Sequence, residues 1–265
     1  MPELPEVQTV VNSLNELIIG KEITSIEELH PRTLINQKNI NIIGSKIISV
    51  NRRGKYLIFV SDGDWKILAH LRMTGKFIIV KNYDKTEKHI RALIRFSDDS
   101  YLLFKDVRTF GFMEILKAND KPNSLEKLGP EPLLKSFNKK YLTEKLRNRK
   151  GSIKTILLNQ HIIAGLGNIY VAEILYKAKI SPLRAGNSLK KNEIDLIVKY
   201  TKSILKKAIE KNGTTIIDFS GVDQKSGEFQ NFLHVYQKKR CKCGNPIIKI
   251  KQAGRSSFYC ERCQK

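Results

Sequence analysis

Apolar residues recur at Leu4, Val7, Val11, Leu14 and Ile18, a spacing that places them on one face of a helix. Pro5 falls in its first turn, where a missing N–H costs nothing. From Glu22 to about Leu116 the pattern changes to short β-rich runs: EITSIEEL, KIISV, KYLIFV, WKILAHL, KFIIV, IRALIRF, YLLF and FMEIL. Turn signals such as NRRG, SDGD and SDDS separate them at the frequent spacing of an antiparallel sandwich or barrel. The pattern predicts an antiparallel β-sandwich fronted by one helix over residues 1–120.

Three prolines gather in KPNSLEKLGPEP, which reads as a linker over 121–132. Beyond it the period is helical, in YLTEKLRNR, SIKTILLNQ and NIYVAEILYKA. A long helix follows from about Glu193 to Lys211, with Asn192 as its N-cap, Gly213 as its stop, and Ile194, Ile197, Thr201, Ile204 and Ala208 as its buried stripe. Thr214–Gln230 is polar, contains glycine and has no clear period, which marks a functional lid or a disordered loop. The expected fold class is α+β and multidomain, with a helical segment over 133–230 and a terminal hairpin over 231–265.

A chain of 265 residues has room for two cores. It carries 48 Lys+Arg against 26 Asp+Glu, a net charge of +22 that favours polyanionic partners. The charge is uneven: residues 1–130 hold 20 basic and 16 acidic side chains, residues 131–265 hold 28 and 10. The phosphate-facing potential therefore belongs mostly to the second half. Apolar content of 41% excludes disorder as the reason for the charge. No apolar run approaches the roughly 18–20 residues that span a bilayer, and MPELPEVQ lacks the basic start and apolar core of a secretory signal. The expectation is a protein of the bacterial cytoplasm with no membrane partner.

All four cysteines lie near the C-terminus as Cys241-x-Cys243-x16-Cys260-x2-Cys263. Two close pairs joined by a strand, a turn and a strand suit a tetrahedral zinc site, and four thiolates with no open position make it structural. A disulfide pair or free thiols are the alternatives; the lack of a secretion signal favours metal. The first pair is C-x-C rather than the usual C-x2-C, a tighter chelate. Arg255, near the hairpin tip, is either a phosphate grip or a solvated loop arginine.

Glu3 and Glu6 fall on one face of the first helical turn, where the macrodipole alone would favour carboxylates. Pro2 adds chemistry. With Met1 removed its secondary amine is free, and an α-amino group titrates near pH ~8, so a useful fraction is neutral at pH 7. Attack of such an amine on a sugar C1′ gives an iminium that cannot lose its charge by N-deprotonation and so acts as an electron sink. A neighbouring carboxylate can move the protons.

The chain resembles the formamidopyrimidine-DNA glycosylases, within the group that includes endonuclease VIII, over its entire length. The matching stretches are MPELPEV, RRGKYL, HLRMTG, DVRTFG, LGPEPL, GLGNIYVAEILY, GTTIIDF with the loop after it, and GRSSFYCERCQK, in that order. PELPE, rather than the PEG of endonuclease VIII, points to the oxidised-purine branch. The resemblance implies Pro2 as Schiff-base nucleophile, Glu3 as the acid that assists base departure and Glu6 as a carboxylate near the site. It implies Lys55 as proton donor in β-elimination and phosphate contact, and Arg255 in the corresponding place for δ-elimination. A guanidinium with a pKa above ~12 is a poor acid, which favours the phosphate grip for Arg255.

Met73, Arg108 and Phe110 match wedge residues that fill the gap left by a flipped base. Taken alone they would read as core Met, surface Arg and core Phe. His70, His89, Arg149 or Lys150, Lys154 and Asn168 resemble contacts to the DNA backbone. Asn168 follows Gly165 and Gly167 in a loop before a helix, as in the family's helix–two-turn–helix, and 214–230 matches the loop that closes over the flipped base. Thr109 stands where some members carry a second basic residue. The implied protein is a bifunctional repair enzyme that excises 8-oxoguanine and formamidopyrimidines and cleaves the strand by β,δ-elimination. It would hold damaged double-stranded DNA in a cleft hinged at the linker, bind one structural zinc, use no nucleotide cofactor and act as a nucleoid-associated monomer. The rivals are an endonuclease VIII-type oxidised-pyrimidine glycosylase and a catalytically silent DNA-binding module.

Overall fold

A computed structural model describes residues 2–214 and 227–265 of the chain. The expected base-closing loop lies mostly outside the described residues; only 214 and 227–230 of it fall within them. The chain divides into two compact units, Met1–Leu125 with Lys211–Glu228, and Glu126–Glu210 with Phe229–Lys265.

The first unit opens with α1 (Leu4–Ile18), whose face Leu4, Val7, Val11, Leu14 and Ile18 is buried, as the spacing predicts. Two sheets follow. One has the order β1 (Ile23–Glu28), β7 (Ile90–Phe96), β8 (Tyr101–Lys105), β6 (Lys76–Val80). The other has the order β2 (Leu34–Ile35), β9 (Phe112–Lys117), β5 (Trp65–His70), β4 (Tyr56–Ser61), β3 (Ile47–Arg53). All eight β-rich runs of the sequence are strands. Alternation is clearest in β4, where Leu57, Phe59 and Ser61 are buried and their neighbours are partly exposed.

The core joins the two sheets: Phe59 of β4 meets Phe77 of β6 edge-on at 5.4 Å, and Phe77 meets Phe104 of β8 at 5.1 Å. One strand departs from the antiparallel expectation. β2 pairs parallel to β9, with Met113 N–H donating to the Thr33 carbonyl at 2.7 Å; two residues are too short to show a period.

The second unit holds α3 (Lys139–Leu146), α4 (Ile153–Leu157), α5 (Asn168–Lys177), α6 (Lys191–Glu210) and the hairpin β10 (Ile248–Gln252)–β11 (Arg255–Tyr259). Asn138 and Ser152 cap α3 and α4 by accepting N–H groups from Tyr141 and Thr155. The α6 stripe is buried as predicted, but Asn192 is not its cap. The helix starts two residues earlier than expected, at Lys191, because Glu193 accepts the Lys190 N–H at 2.7 Å while pairing with Arg184. The linker is also less free than its prolines imply: it contains the short helix α2 (Asn123–Glu126), and Gly129 N–H donates to Gln160 carbonyl at 2.8 Å.

Thr201 on α6 is fully buried and its hydroxyl has no hydrogen-bond partner among the described residues. Thr201→Val is expected to raise the unfolding free energy by about 1–2 kcal/mol, since it removes an unsatisfied buried hydroxyl at constant shape. Urea denaturation checks this; an unchanged or lower midpoint would refute it.

Candidate active site

Pro2, Glu3 and Glu6 are all buried. Glu3 and Glu6 come together at the start of the helix, with Glu3 just outside its first turn. Glu3 is the N-cap of α1 in extended conformation and Glu6 is its third residue, and the pair close a reciprocal capping box. Glu6 Oε2 accepts the Glu3 N–H at 2.8 Å, and Oε1 accepts the Thr214 N–H at 2.7 Å, so one carboxylate ties the N-terminus to the backbone just beyond α6. Gly213 is required there: its φ is +75°, and a Cβ would stand 2.8 Å from Glu6 Oε1.

Lys55 sits between β3 and β4 and is buried. Strand pairing sets Tyr56 opposite His70, whose ring meets the tyrosine edge-on at 4.6 Å. The His70 pKa is pushed down to about 3 by burial first, then by the charges of Arg72 and Lys55. Its Nδ1 accepts the Arg72 N–H at 2.9 Å, which leaves the proton on Nε2, so His70 offers a neutral N–H donor. His89 is exposed with φ +72°, and its Nδ1 lies 3.3 Å from the Arg91 guanidinium.

Met73 and Phe110 are 43% and 56% exposed, so neither is a core residue. Arg108 joins them: its guanidinium lies 3.1 Å from Met73 Sδ and 5.1 Å from the Phe110 ring centroid. Sequence reasoning quoted the residue that organises this cluster, Asp106, without giving it a role. Asp106 is 1% exposed; Oδ1 accepts the Thr74 hydroxyl and, at 3.1 Å, the Arg108 N–H, while Oδ2 accepts the Gly111 N–H at 2.7 Å. Its own N–H donates to the His89 carbonyl at 2.9 Å. Gly111 packs so closely that a Cβ would stand 2.6 Å from the Phe104 ring. An aspartate two residues before the N–H it accepts is a recognisable turn former, and that signal could have found it.

In the second unit, Lys154 is buried on α4 and donates to the Ser256 carbonyl at 2.8 Å and to Ser257 Oγ at 2.6 Å. Burial, and then the charge of Arg255, bring its pKa down to about 8. Asn168 opens α5 and donates to the same Ser256 carbonyl at 2.9 Å. Both side chains thus fix the strand that begins at Arg255, which is exposed beside the left-handed turn Ala253–Gly254. Arg149 and Lys150 are exposed between α3 and α4, and Arg149 Nε donates to the Lys145 carbonyl.

The four cysteines converge, with every Sγ within 4.8 Å of the others. Cys241–Cys263 and Cys243–Cys260 are 3.8 and 3.6 Å apart, and all four are free thiols rather than a disulfide pair. A zinc ion with Zn–S bonds of about 2.3 Å needs tetrahedral edges of about 3.8 Å, so the cluster fits it. Gly244 N–H donates to the Cys241 carbonyl at 2.9 Å, closing the turn of the short pair.

Family models match as the formamidopyrimidine-DNA glycosylase N-terminal domain over residues 1–113 and H2TH domain over 128–220, and as the zinc finger found in FPG and IleRS over 240–265. The chain is similar to the formamidopyrimidine-DNA glycosylases of Listeria monocytogenes, 40% identical, and Streptococcus mutans, 41% identical, with 100% of both chains covered in each case. A solved complex of a Lactococcus lactis FPG variant with Fapy-dG-containing DNA superposes with a TM-score of 0.93 at 41% identity, covering 100% of both chains. The wild-type Lactococcus protein with DNA containing an oxidised pyrimidine gives 0.92 at 40%, again over 100% of both.

Two outcomes follow from the first unit. Asp106→Asn leaves one oxygen where two accept hydrogen bonds, and is expected to cost about 2–3 kcal/mol and to speed amide exchange at Arg108 and Gly111. Slow exchange there in the variant would exclude Asp106 as the anchor. His70, neutral when folded, binds its proton more readily unfolded, so stability falls as pH drops from about 6.5 towards 3, by up to about 1.4 kcal/mol per pH unit. Denaturation of wild type and His70→Gln over that range should show a shallower acid slope for the variant; parallel slopes would contradict the neutral assignment.

Proposed function

Because the chain belongs to the formamidopyrimidine-DNA glycosylase family, we propose that it removes oxidised purines, 8-oxoguanine and formamidopyrimidines, from duplex DNA and then cuts the strand as a lyase. The observation that carries the mechanism is the N-terminal clamp, in which Glu6 holds the Glu3 N–H next to Pro2.

With Met1 removed, the Pro2 nitrogen attacks C1′ of a flipped nucleotide; the N–C1′ bond forms, the glycosidic bond breaks, and Glu3 moves the proton that the departing base requires. The nitrogen gives up its proton, and the C1′–O4′ bond opens with protonation of O4′ to leave a C1′=N+ iminium, which draws electrons as C2′ loses a proton and the 3′ phosphate leaves. A second elimination releases the 5′ phosphate, and water frees Pro2. Glu6 serves by holding the Glu3 backbone, since its two oxygens accept the Glu3 and Thr214 N–H groups. Lys55 contacts phosphate and donates a proton in β-elimination; Arg255, exposed and always charged, grips phosphate.

Met73 and Phe110 replace the stacking of the extruded base, and Arg108 faces the orphaned partner. His70 and His89 from the first unit, and Arg149, Lys150, Lys154 and Asn168 from the second, contact the DNA backbone directly or position groups that do. Cys241, Cys243, Cys260 and Cys263 hold one structural zinc, which supports the hairpin and leaves no open position for chemistry. No described helix is long and apolar enough to cross a membrane. On this reading the protein acts as a monomer on nucleoid DNA in the bacterial cytoplasm. The Lactococcus complex with an oxidised pyrimidine favours a lesion range wider than purines.

Borohydride trapping on an 8-oxoguanine duplex tests the mechanism. Wild-type protein should form a covalent adduct and Pro2→Gly should lower its yield by more than about tenfold; processed, active protein that forms none would overturn it. A thymine-glycol duplex run alongside measures the lesion range.

A further inference from the structure

Tyr176, near the end of α5, touches the cysteine cluster without being one of its ligands. Its hydroxyl lies 3.5 Å from Cys241 Sγ. The ring is held in place: it stacks on His234 with centroids 5.2 Å apart and planes at 30°. His234 is held in turn by Glu173, one helical turn before Tyr176, which accepts its backbone N–H at 2.8 Å and lies 3.2 Å from its Nδ1. The same buried carboxylate accepts the N–H groups of Val235 and Tyr236, both at 2.9 Å. The hydroxyl is therefore aimed by the fold.

Four thiolates around one zinc dication leave a net charge of −2 in a partly buried place, and hydrogen bonds to sulphur are what disperse it. In each cysteine pair the second residue's N–H serves the first residue's sulphur, Cys243 to Cys241 and Cys263 to Cys260. Cys241 has the Tyr176 hydroxyl in addition, and it belongs to the pair whose spacing is shortened to C-x-C. We propose that Tyr176 is a positioning residue of the zinc centre, donating its O–H to the Cys241 thiolate and offsetting the tighter chelate of the Cys241–Cys243 pair. The proposal rests on the zinc reading of the cluster. It makes α5 a single rigid link with Asn168 at its start and the metal centre at its end.

The test is Tyr176→Phe in the full-length chain, which keeps the ring and its stack on His234. Zinc transfer to a chromogenic chelator should show affinity lowered about tenfold. Iodoacetamide should label Cys241 faster, and the thiolate-to-metal charge-transfer band of cobalt-loaded protein should move to lower energy as the sulphur loses its hydrogen bond. A Phe variant that holds zinc as tightly as wild type, with an unmoved cobalt band, overturns the inference. Should the variant fold poorly, fluorotyrosine at position 176 keeps the ring and strengthens the donor, and must move the band the other way; no movement overturns the inference equally. Wild-type protein that takes up neither zinc nor cobalt would remove the zinc reading itself, and the proposal with it.

Discussion

A charge taken out of water costs several kcal/mol unless its hydrogen-bonding capacity is met, and this chain meets that condition with the backbone of its functional segments. Glu6 is satisfied by N–H groups beside Pro2 and at Thr214, Asp106 by those of Arg108 and Gly111, Glu173 by the turn His234–Tyr236 that leads to the cysteines, and Lys154 by the hairpin that carries Arg255. Each buried polar side chain therefore fixes a terminus, a turn or a hairpin, at the cost of leaving a buried group unsatisfied if its partner moves. The local geometry is set before DNA arrives, which is what a site needs if binding energy is to be used on base extrusion rather than on ordering the protein.

The charge asymmetry follows a related logic. In the first unit several basic side chains are already engaged, as in Lys21–Asp98, Lys38–Asp120, Arg95–Asp99 and Lys105–Glu87. The excess in residues 131–265 stands with few acidic partners to absorb it. Affinity for a polyanion, and its fall with salt, thus rest mainly on the second half, while the chemistry we propose rests on Pro2 and Glu3 in the first. Net charge and catalysis are separate properties of the same chain.

Periodic features were legible because they are local. The α1 and α6 stripes and the eight β-rich runs each carry their own burial pattern, and the cysteine spacing carries its own chelate geometry. Features decided by a distant partner were not. β2 exists because Met113 reaches Thr33; α6 starts at Lys191 because Glu193 and Arg184 close its first turn in place of Asn192. Met73 and Phe110 read equally well as core residues until Arg108, its backbone N–H held by Asp106, is seen against both of them at the surface.

The sequence by itself determined the order of elements, the cysteine cluster and the family resemblance, since all of these are written in residue type and spacing. Only the tertiary structure decided which charges are buried and what they hold. Lys154, matched to a contact with the DNA backbone, is buried against Ser256 and Ser257; Glu6, matched to a carboxylate near the site, is a clamp; Tyr176, one more helix aromatic, faces the Cys241 sulphur. The reason is physical: burial and hydrogen-bond partners depend on residues far apart in the chain, and no local pattern records them.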